Sequence, residues 1–376
     1  MRCLNIVFYL LCFLILFEST SLASIGGVFT APAAITILPI YLIIGFVNIY
    51  KINLLEKKIL LAFFVFILYS IIMSFVFFSE YDNYFVVDRG TRFLLLATPP
   101  LMIFVICLRQ NISTLKSGIT IITFISIVSL LMNVFMPDTL NFRSFIHYTD
   151  ALSPNRLRGF TLEASTFGFQ IITVLLLFSI VKKINLNIYI PILLFISILS
   201  TSKGTLLVLC ISVLVCVMFC MKSKLKYPMM ICVSIFSIML YDNFLENSFE
   251  LDLERYTTIA TRGTMYFTAI NILIDYPLGS GYFGFLPAIY ENGLQGINTF
   301  QFFYPGHLNL QEVLVFFSEG ATKGISTKTF FFDWMIFAGL PFIVCFIYFN
   351  FHLFKVFKAY SAYPEMICLV FISTSL

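Results

Sequence analysis

Long apolar runs, separated by short polar stretches, follow one another along most of this chain. A helix needs about 20 apolar residues to cross a membrane, with about 17 as a practical minimum. The runs that approach this length cover residues 4–17, 31–50, 59–78, 93–108, 117–135, 164–181, 186–201, 204–221, 227–241, 328–350 and 363–376. They predict an all-α, polytopic integral membrane protein with about eleven transmembrane helices.

The first apolar run fits two descriptions. It could be a signal peptide that is cleaved near residues 21–24, or a short first span. We favour a retained helix, and either choice leaves the order of the later spans unchanged.

The composition excludes a soluble globular protein. Of the 376 residues, 60% are hydrophobic and 11% are charged, whereas about a quarter of a soluble chain is charged. No stretch is long and polar enough to fold separately, so we predict one membrane domain over residues 1–376. All nine cysteines lie in apolar segments, which predicts neither a disulfide framework nor a metal site.

The distribution of charges predicts the orientation of the spans. If Met1 is cytoplasmic, the inside loops hold most of the lysines and only two acids, Glu56 and Glu365. Cytoplasmic loops of membrane proteins are enriched in lysine and arginine. The pattern therefore predicts a multi-pass membrane protein with its N-terminus in the cytoplasm.

Arginine, in contrast, collects in the loops predicted to lie outside. These arginines are Arg89, Arg92, Arg143, Arg156, Arg158, Arg255 and Arg262. A guanidinium can bind phosphate or carboxylate through two parallel hydrogen bonds and stays charged when it is partly buried. We interpret the cluster as an anion site; the alternative is that these arginines pair with the outside acids.

Two outside loops carry most of the polar residues. The large extracytoplasmic loop covers 242–327; within it, residues 258–274 are predicted to form a helix that ends before Pro277. Arg255 and Arg262 are seven residues apart and share one face of this region. The loop closes on PGHLNLQE, which contains His307. A solvated loop with a surface helix is the simpler alternative.

The second outside loop covers 137–163 and ends in NRLRGFTLEASTFGFQ. Arg156, Arg158 and Glu163 precede a helix that begins near Ala164. A glutamate at the entrance of an apolar helix is costly unless it is paired or functional. Glu163 is therefore either a functional acid or a first-turn acid stabilised by the helix dipole and Arg158. A short turn, STSKGT, places Lys203 at the outer end of another pair of spans.

Four segments, in this order, resemble the bacterial O-antigen polymerases of the Wzy type and, more distantly, the O-antigen ligases. They are RLRGFTLEASTFG at 156–168, LSTSKGTLLVL at 199–209, TRGTMYFTAINILIDYPLGSGYFGF at 261–285 and GHLNLQEVLVFFSEG at 306–320. The chain departs from the family pattern at three places. Lys203 replaces an arginine, Ala164 replaces a proline after the glutamate, and Leu308 separates His307 from Asn309.

The resemblance implies an integral-membrane glycosyltransferase. It would join oligosaccharide repeat units carried on undecaprenyl diphosphate, as donor and acceptor, into O-antigen or capsular polysaccharide at the outer face of the inner membrane. Membrane lipids and a chain-length regulator protein are further partners that it allows.

The resemblance also suggests roles for individual residues. Arg158, Arg262 and Lys203, followed by Arg156 and Arg255, would bind the diphosphate, where cations stabilise the charge that develops on the leaving group. His307 would be the general base, with Glu163 as the alternative if burial raises its pKa. We expect these groups to share one cavity open to the membrane.

Other classes of ligand and function fit the sequence less well. No acidic pair has convincing metal-ligand spacing, so we expect neither a metal nor another cofactor, and no nucleic-acid partner. The first alternative function is an O-antigen ligase. The second, from a different class, is a transporter or flippase of an anionic lipid-linked glycan; transporters place polar residues in broken helices near the middle of the membrane, whereas the apolar runs here look unbroken.

Overall fold

The fold was examined in a computed structural model. It describes residues 2–18, 20–21, 33, 39–40, 53–78, 84–96, 98–151, 156–161, 163–200, 202–220, 224, 226–240, 257–306, 308–318, 325–327 and 329–375. Predicted span 31–50 lies almost wholly outside these residues, and Arg255 and His307 lie outside them as well.

Every regular element in the described ranges is an α-helix, which confirms the predicted all-helical class. The helices are α1 (Arg2–Leu14), α2 (Leu54–Phe78), α3 (Tyr84–Leu96), α4 (Thr98–Leu108), α5 (Ile112–Phe135), α6 (Pro137–Asn141), α7 (Ala164–Lys182), α8 (Leu186–Leu199), α9 (Lys203–Cys220), α10 (Lys226–Leu240), α11 (Thr257–Asp275), α12 (Phe285–Phe303), α13 (Gln311–Phe316), α14 (Phe330–Phe357) and α15 (Tyr363–Ser375).

Six stretches of described helix are long and apolar enough to cross a membrane. They are Leu54–Phe75, Val86–Leu108, Ile112–Phe135, Ala164–Lys182, Lys203–Cys220 and Phe330–Phe357. The predicted spans near α8, α10 and α15 form helices of 14, 15 and 13 residues, which are shorter than the practical minimum for a straight crossing. The chain is thus a helical protein with membrane-length segments, and about eleven spans stays a prediction.

The interval 242–327 is largely helical where the structure describes it. The helix expected over 258–274 is present as α11, and α12 and α13 follow it within the same interval. The apolar pattern of α12 is interrupted by Glu291, Asn292, Gly293 and Gly296, so it does not read as a membrane span. Only packing against α11 reveals why this segment is a helix.

Glycine allows α11 and α12 to approach closely. A Cβ atom on Gly263 would lie 2.6 Å from the ring of Phe300, and one on Gly296 would collide with Thr268. Beside these positions, Phe267 stacks on Phe303 with ring centroids 5.3 Å apart. The small residues therefore bring two helices that carry polar groups into direct contact.

Contacts divide the chain into two compact units. Unit 1 comprises Met1–Lys57, Leu96–Val233 and Val356–Ser373; unit 2 comprises Lys58–Leu95, Ser234–Lys355 and Thr374–Leu376. The single membrane domain expected from the sequence stays a prediction.

Each unit has its own apolar core. In unit 1, Phe167, Ile171 and Leu176 of α7 are almost fully buried, with Leu193 of α8 and Leu209 of α9. In unit 2, the core combines side chains from α11, α12 and α14, which include Met265, Ala269, Phe285, Ile289 and Phe337. α7 and α12 are therefore the elements on which the polar segments of the two units rest.

Helix α14 is broken, unlike the continuous span that its apolar sequence indicates. Gly339 has φ 57° and ψ −143°, and Pro341 follows within the helix. Proline has no N–H, so the carbonyl of Phe337, four residues earlier, cannot form its normal helical hydrogen bond. Non-helical backbone in a membrane segment needs partners from the protein itself.

The turn after α11 supplies those partners. Gly281 N–H donates to Phe337 O at 3.0 Å and Ser280 N–H donates to Ile336 O at 2.8 Å, while Leu340 N–H donates to Pro277 O at 2.8 Å. The PLGSG segment, which the sequence predicts only to end α11, therefore also forms hydrogen bonds with the backbone at the break in α14. The prediction that the apolar helices are unbroken is therefore wrong for α14.

Candidate functional site

Two of the four family-like segments meet in unit 1. Gly168 of α7, at the end of RLRGFTLEASTFG, faces the STSKGT turn so closely that a Cβ atom there would lie 2.6 Å from Thr205 Oγ1 and 2.9 Å from Ser202 Cβ. Ser202 and Thr205 are joined by a 2.6 Å hydrogen bond between their hydroxyls. This contact brings the N-terminal ends of α7 and α9, with Glu163 and Lys203, to the same end of the unit.

Arg158, the first choice for a diphosphate ligand in this loop, is buried with 3% of its surface exposed. Its Nε donates to Leu140 O at 2.8 Å, and its Nη2 donates to the carbonyls of Leu140, Asn141 and Thr149. Burial lowers the pKa of Arg158, and the charge of Asp150 opposes this shift. The described contacts make Arg158 a group that holds the end of α6 against the loop.

A buried histidine, His147, belongs to the same hydrogen-bonded loop. The sequence did not single it out. His147 Nε2 lies 2.9 Å from Gly159 O, and Gly159 N–H donates to Asn133 Oδ1 at 2.5 Å. Gly159 has φ 54°, and a Cβ atom on it would collide with the ring of Phe167. The RLRGFT turn is thus a buried, hydrogen-bonded corner. Only its position just before the arginine-rich segment could have singled out His147.

The ring of His147 is held in its neutral form. Burial, together with the charge of Arg158, lowers its pKa to about 4, although the bond to the Gly159 carbonyl acts in the opposite direction. Because the Nε2 side faces a carbonyl, Nε2 carries the proton, and Nδ1 is buried without a hydrogen-bond partner. His147 therefore acts as a neutral donor within the corner.

Arg156 and Glu163 differ from Arg158 in being exposed. Arg156 lines a cavity of about 410 Å³ with Asn133, Asp138 and Asn141. Glu163 occupies the N-cap position of α7 without bonding the helix N–H groups, and its Oε2 accepts from Ser165 Oγ at 3.2 Å. Of the predicted site residues in the described part of this loop, Arg156 and Glu163 are therefore the two whose side chains can reach a ligand.

The other two family-like segments meet in unit 2. Ala260 of α11 and Leu308, next to His307 in sequence, share a small apolar cluster with Phe300. One residue further along α11, Thr261 Oγ1 donates to Glu312 Oε2 at 3.3 Å. The start of α11 is therefore packed against the segment that carries the predicted histidine.

Arg262 lies on this part of α11 and is partly exposed. Its Nε is buried and has no hydrogen-bond partner among the described atoms. One turn later, the ring of Tyr266 stacks on Phe332 with centroids 4.7 Å apart. Burial raises the pKa of Tyr266, and the nearby charge of Arg262 and a hydrogen bond with Thr329 oppose the shift. The Arg262 guanidinium thus has one N–H donor that forms no described hydrogen bond, and it lies near the stacked rings of Tyr266 and Phe332.

The structure describes one of the three remaining predicted site residues. Lys203, half-buried, is the first residue of α9. Arg255 and His307 fall outside the described residues, and the prediction that they share one cavity with Arg158 and Arg262 stays a prediction. Within the described ranges, no cluster of histidine, cysteine and acidic side chains could hold a metal ion.

Comparison with known proteins identifies one relative. The chain is 36% identical over 351 residues to a Klebsiella pneumoniae protein described as an uncharacterized 49.5 kDa protein in cps region, and the match covers 92% of this chain and 80% of the relative. Neither a family model nor a solved structure matches the chain. Identity at this level along nearly the whole chain means that the protein belongs to the family of this Klebsiella protein from a cps region.

Proposed function

We propose that this protein polymerises oligosaccharide repeat units, carried on undecaprenyl diphosphate, into capsular polysaccharide or O-antigen at the outer face of the inner membrane. The observation that carries the proposal is the relative in a cps region, which is similar along 92% of this chain. Six membrane-length helices are in keeping with a substrate that stays anchored in lipid.

The chemistry needs cations that act on the leaving diphosphate. Breaking the bond between sugar and diphosphate builds negative charge on the phosphate, and fixed donors lower the barrier when they meet that charge in the transition state. Arg262 is our first choice because its Nε is a buried donor without a hydrogen-bond partner among the described residues. Lys203, Arg156 and Arg255 are further candidates, whereas Arg158 is assigned to holding the loop in place.

The acceptor hydroxyl must lose a proton to a general base. His307 is proposed for this role because an imidazole titrates near neutral pH. The packing of Leu308 against Ala260 supports it, since the neighbouring residue is then tied to the helix that carries Arg262. Glu163, the alternative base, is exposed at the start of α7 and therefore lacks the burial on which that role depends.

The proposal is tested by analysing lipid-linked glycans in a capsule-producing host from which the gene is deleted. Loss of polymer, with accumulation of undecaprenyl diphosphate bearing a single repeat unit on the outer face, is the expected result. Restoration by the wild-type gene is the control.

Two other outcomes would overturn the assignment. Long polymer that stays on undecaprenyl diphosphate would identify a ligase. Single repeat units that are trapped on the cytoplasmic face would identify a flippase.

A further inference from the structure

A second polar centre lies at the other end of the unit 1 helices. There a cavity of about 730 Å³ is bounded by the last turns of α7 and α9 and the first turns of α5, α8 and α15. The sequence predicts that the polar residues at all these ends face the cytoplasm. The cavity is therefore separate from the segments that carry the proposed polymerase residues of unit 1.

The cavity contains a carboxylate with one oxygen that has no hydrogen-bond partner among the described residues. Glu365 is 8% exposed, and its Oε2 is buried without a hydrogen bond. The other acid predicted on this side, Glu56, is also buried but is paired with Arg109, whose Nε lies 2.8 Å from Glu56 Oε1. A buried carboxylate oxygen without a hydrogen-bond donor costs free energy, so Glu365 Oε2 favours a ligand that is positively charged or donates a hydrogen bond.

Two lysines at the edge of the same cavity call for the opposite charge. Lys116, in the first turns of α5, and Lys183, just after α7, both line it and are exposed. The remaining wall is mostly apolar and includes Ile184, Val213 and Met366. The cavity thus offers two cations at its rim, one anion inside and an apolar surface between them.

We infer that this cavity binds a zwitterionic phospholipid whose head group has a primary ammonium, such as phosphatidylethanolamine. The phosphate would lie between Lys116 and Lys183, the ammonium would donate to Glu365, and an acyl chain would cover the apolar wall. Each of the three parts of the lipid matches a different part of the cavity. A purely anionic lipid would satisfy the lysines but leave Glu365 without a partner.

The test measures lipids retained by the purified full-length chain in native mass spectrometry. The probes are phosphatidylethanolamine, phosphatidylglycerol and phosphatidylcholine with identical acyl chains. One charge-assisted hydrogen bond corresponds to about a tenfold difference in affinity, so phosphatidylethanolamine should be retained about tenfold more strongly than either of the others. Equal retention of the three lipids, or a preference for phosphatidylglycerol, would overturn the proposal without any variant being needed.

Variants then locate the site. Glu365→Gln should remove the preference for phosphatidylethanolamine, and Lys183→Gln should weaken the binding of all three phospholipids. Lys182→Gln is the matched control, because Lys182 does not line the cavity and its Nζ lies 5.7 Å from the centre of the Phe178 ring. A Glu365→Gln protein that keeps the wild-type preference would assign the bound lipid to another surface.

Discussion

Individual arginines in this protein have different tasks, and burial separates them. Arg158 is enclosed by backbone carbonyls, and Arg156 is exposed beside a cavity. Arg262 has a buried donor with no partner in the part of the chain that the structure describes. From the sequence, Arg158 is predicted to be a better phosphate ligand than Arg156. Both arginines lie in one short motif, and the sequence does not show which of the two side chains is buried. The contacts favour the reverse order.

Arg262→Lys should lower polymer formation about tenfold or more without changing the amount of protein in the membrane. Lysine keeps the charge but loses the second donor of the guanidinium fork, and a charge-assisted hydrogen bond is worth about 1.5–3 kcal/mol. Polymer length and yield in a complemented deletion strain are the measurement. Arg92→Lys is the control, since Arg92 forms a partly exposed ion pair with Asp88 at 2.8 Å, and ion pairs that water can reach contribute little. Normal polymer from the Arg262 variant would remove this residue from the mechanism.

Arg158→Lys should destabilise the protein. A lysine ammonium cannot reach the same carbonyls from two directions, so at least one hydrogen bond, worth about 1.5–3 kcal/mol, is lost. The thermal unfolding midpoint of the purified chain is the measurement, and it should fall. Arg156→Lys is the control. Because Arg156 is exposed, this substitution should leave the unfolding midpoint nearly unchanged. An unaltered midpoint together with lost activity in the Arg158 variant would return this residue to the diphosphate site.

His147 should make the stability depend on pH. Its pKa falls from an ordinary value of 6.5 to about 4 in the folded chain, so the unfolded chain binds the proton first. Its contribution is complete above pH 6.5 and is lost as the pH falls towards 4, by about 3 kcal/mol in total. His147→Gln keeps a donor for the Gly159 carbonyl and should flatten this part of the profile.

Unfolding midpoints between pH 7 and pH 4 measure the effect. His352→Gln, at an exposed histidine of α14, should leave the slope unchanged. A slope that is the same in the His147 variant as in the wild type would show that other groups cause it.

At the scale of elements, the break in α14 is held by a separate turn. Gly281 has φ 70°, and a Cβ atom on it would collide with Ser70 O and Ser74 Oγ of α2. The turn therefore fits between α2 and α14 only because it has no side chain at this position. Further hydrogen bonds from Tyr69 Oη to Leu278 O at 2.6 Å and from Phe283 N–H to Ser74 Oγ at 3.2 Å fix it to α2.

Gly281→Ala should lower the unfolding midpoint, since the positive φ alone costs about 1–2 kcal/mol for an alanine and the collision adds to that. Gly204→Ala is the matched control, because the nearest atom to its Cβ is 3.8 Å away, in the ring of Phe169. The control should be as stable as the wild type or slightly more stable. If both variants melt alike, the turn is not tightly docked.

Helix positions in this chain could largely be predicted from local pattern. The predicted helix over 258–274 and the observed α11 differ by one residue at each end. The same reasoning failed for α12, whose glycines and polar residues break the apolar period. Its stability comes from contact with α11, which hydropathy along one segment does not report.

For the molecule as a whole, the charge pattern predicts which ends of the helices face each side of the membrane. A cysteine in place of the exposed Arg156 should react with a membrane-impermeant maleimide in intact cells. A cysteine in place of the exposed Tyr360 should react only after the cells are permeabilised. Both variants need a background in which the exposed Cys232 and Cys345 are replaced by serine. Labelling of Tyr360→Cys in intact cells would reverse the predicted orientation.

The sequence by itself determined the helical membrane class, the ends of α7–α11 to within two residues and the separation of lysine from arginine, because each is a property of contiguous residues. The family-like segments could also be found in it, since they are short and ordered. Tertiary structure alone decided that these segments meet in two pairs, that Arg158 is buried while Arg156 is exposed, and that PLGSG docks onto α14. These features depend on contacts between residues far apart in the chain, where burial and hydrogen-bond partners are assigned by packing.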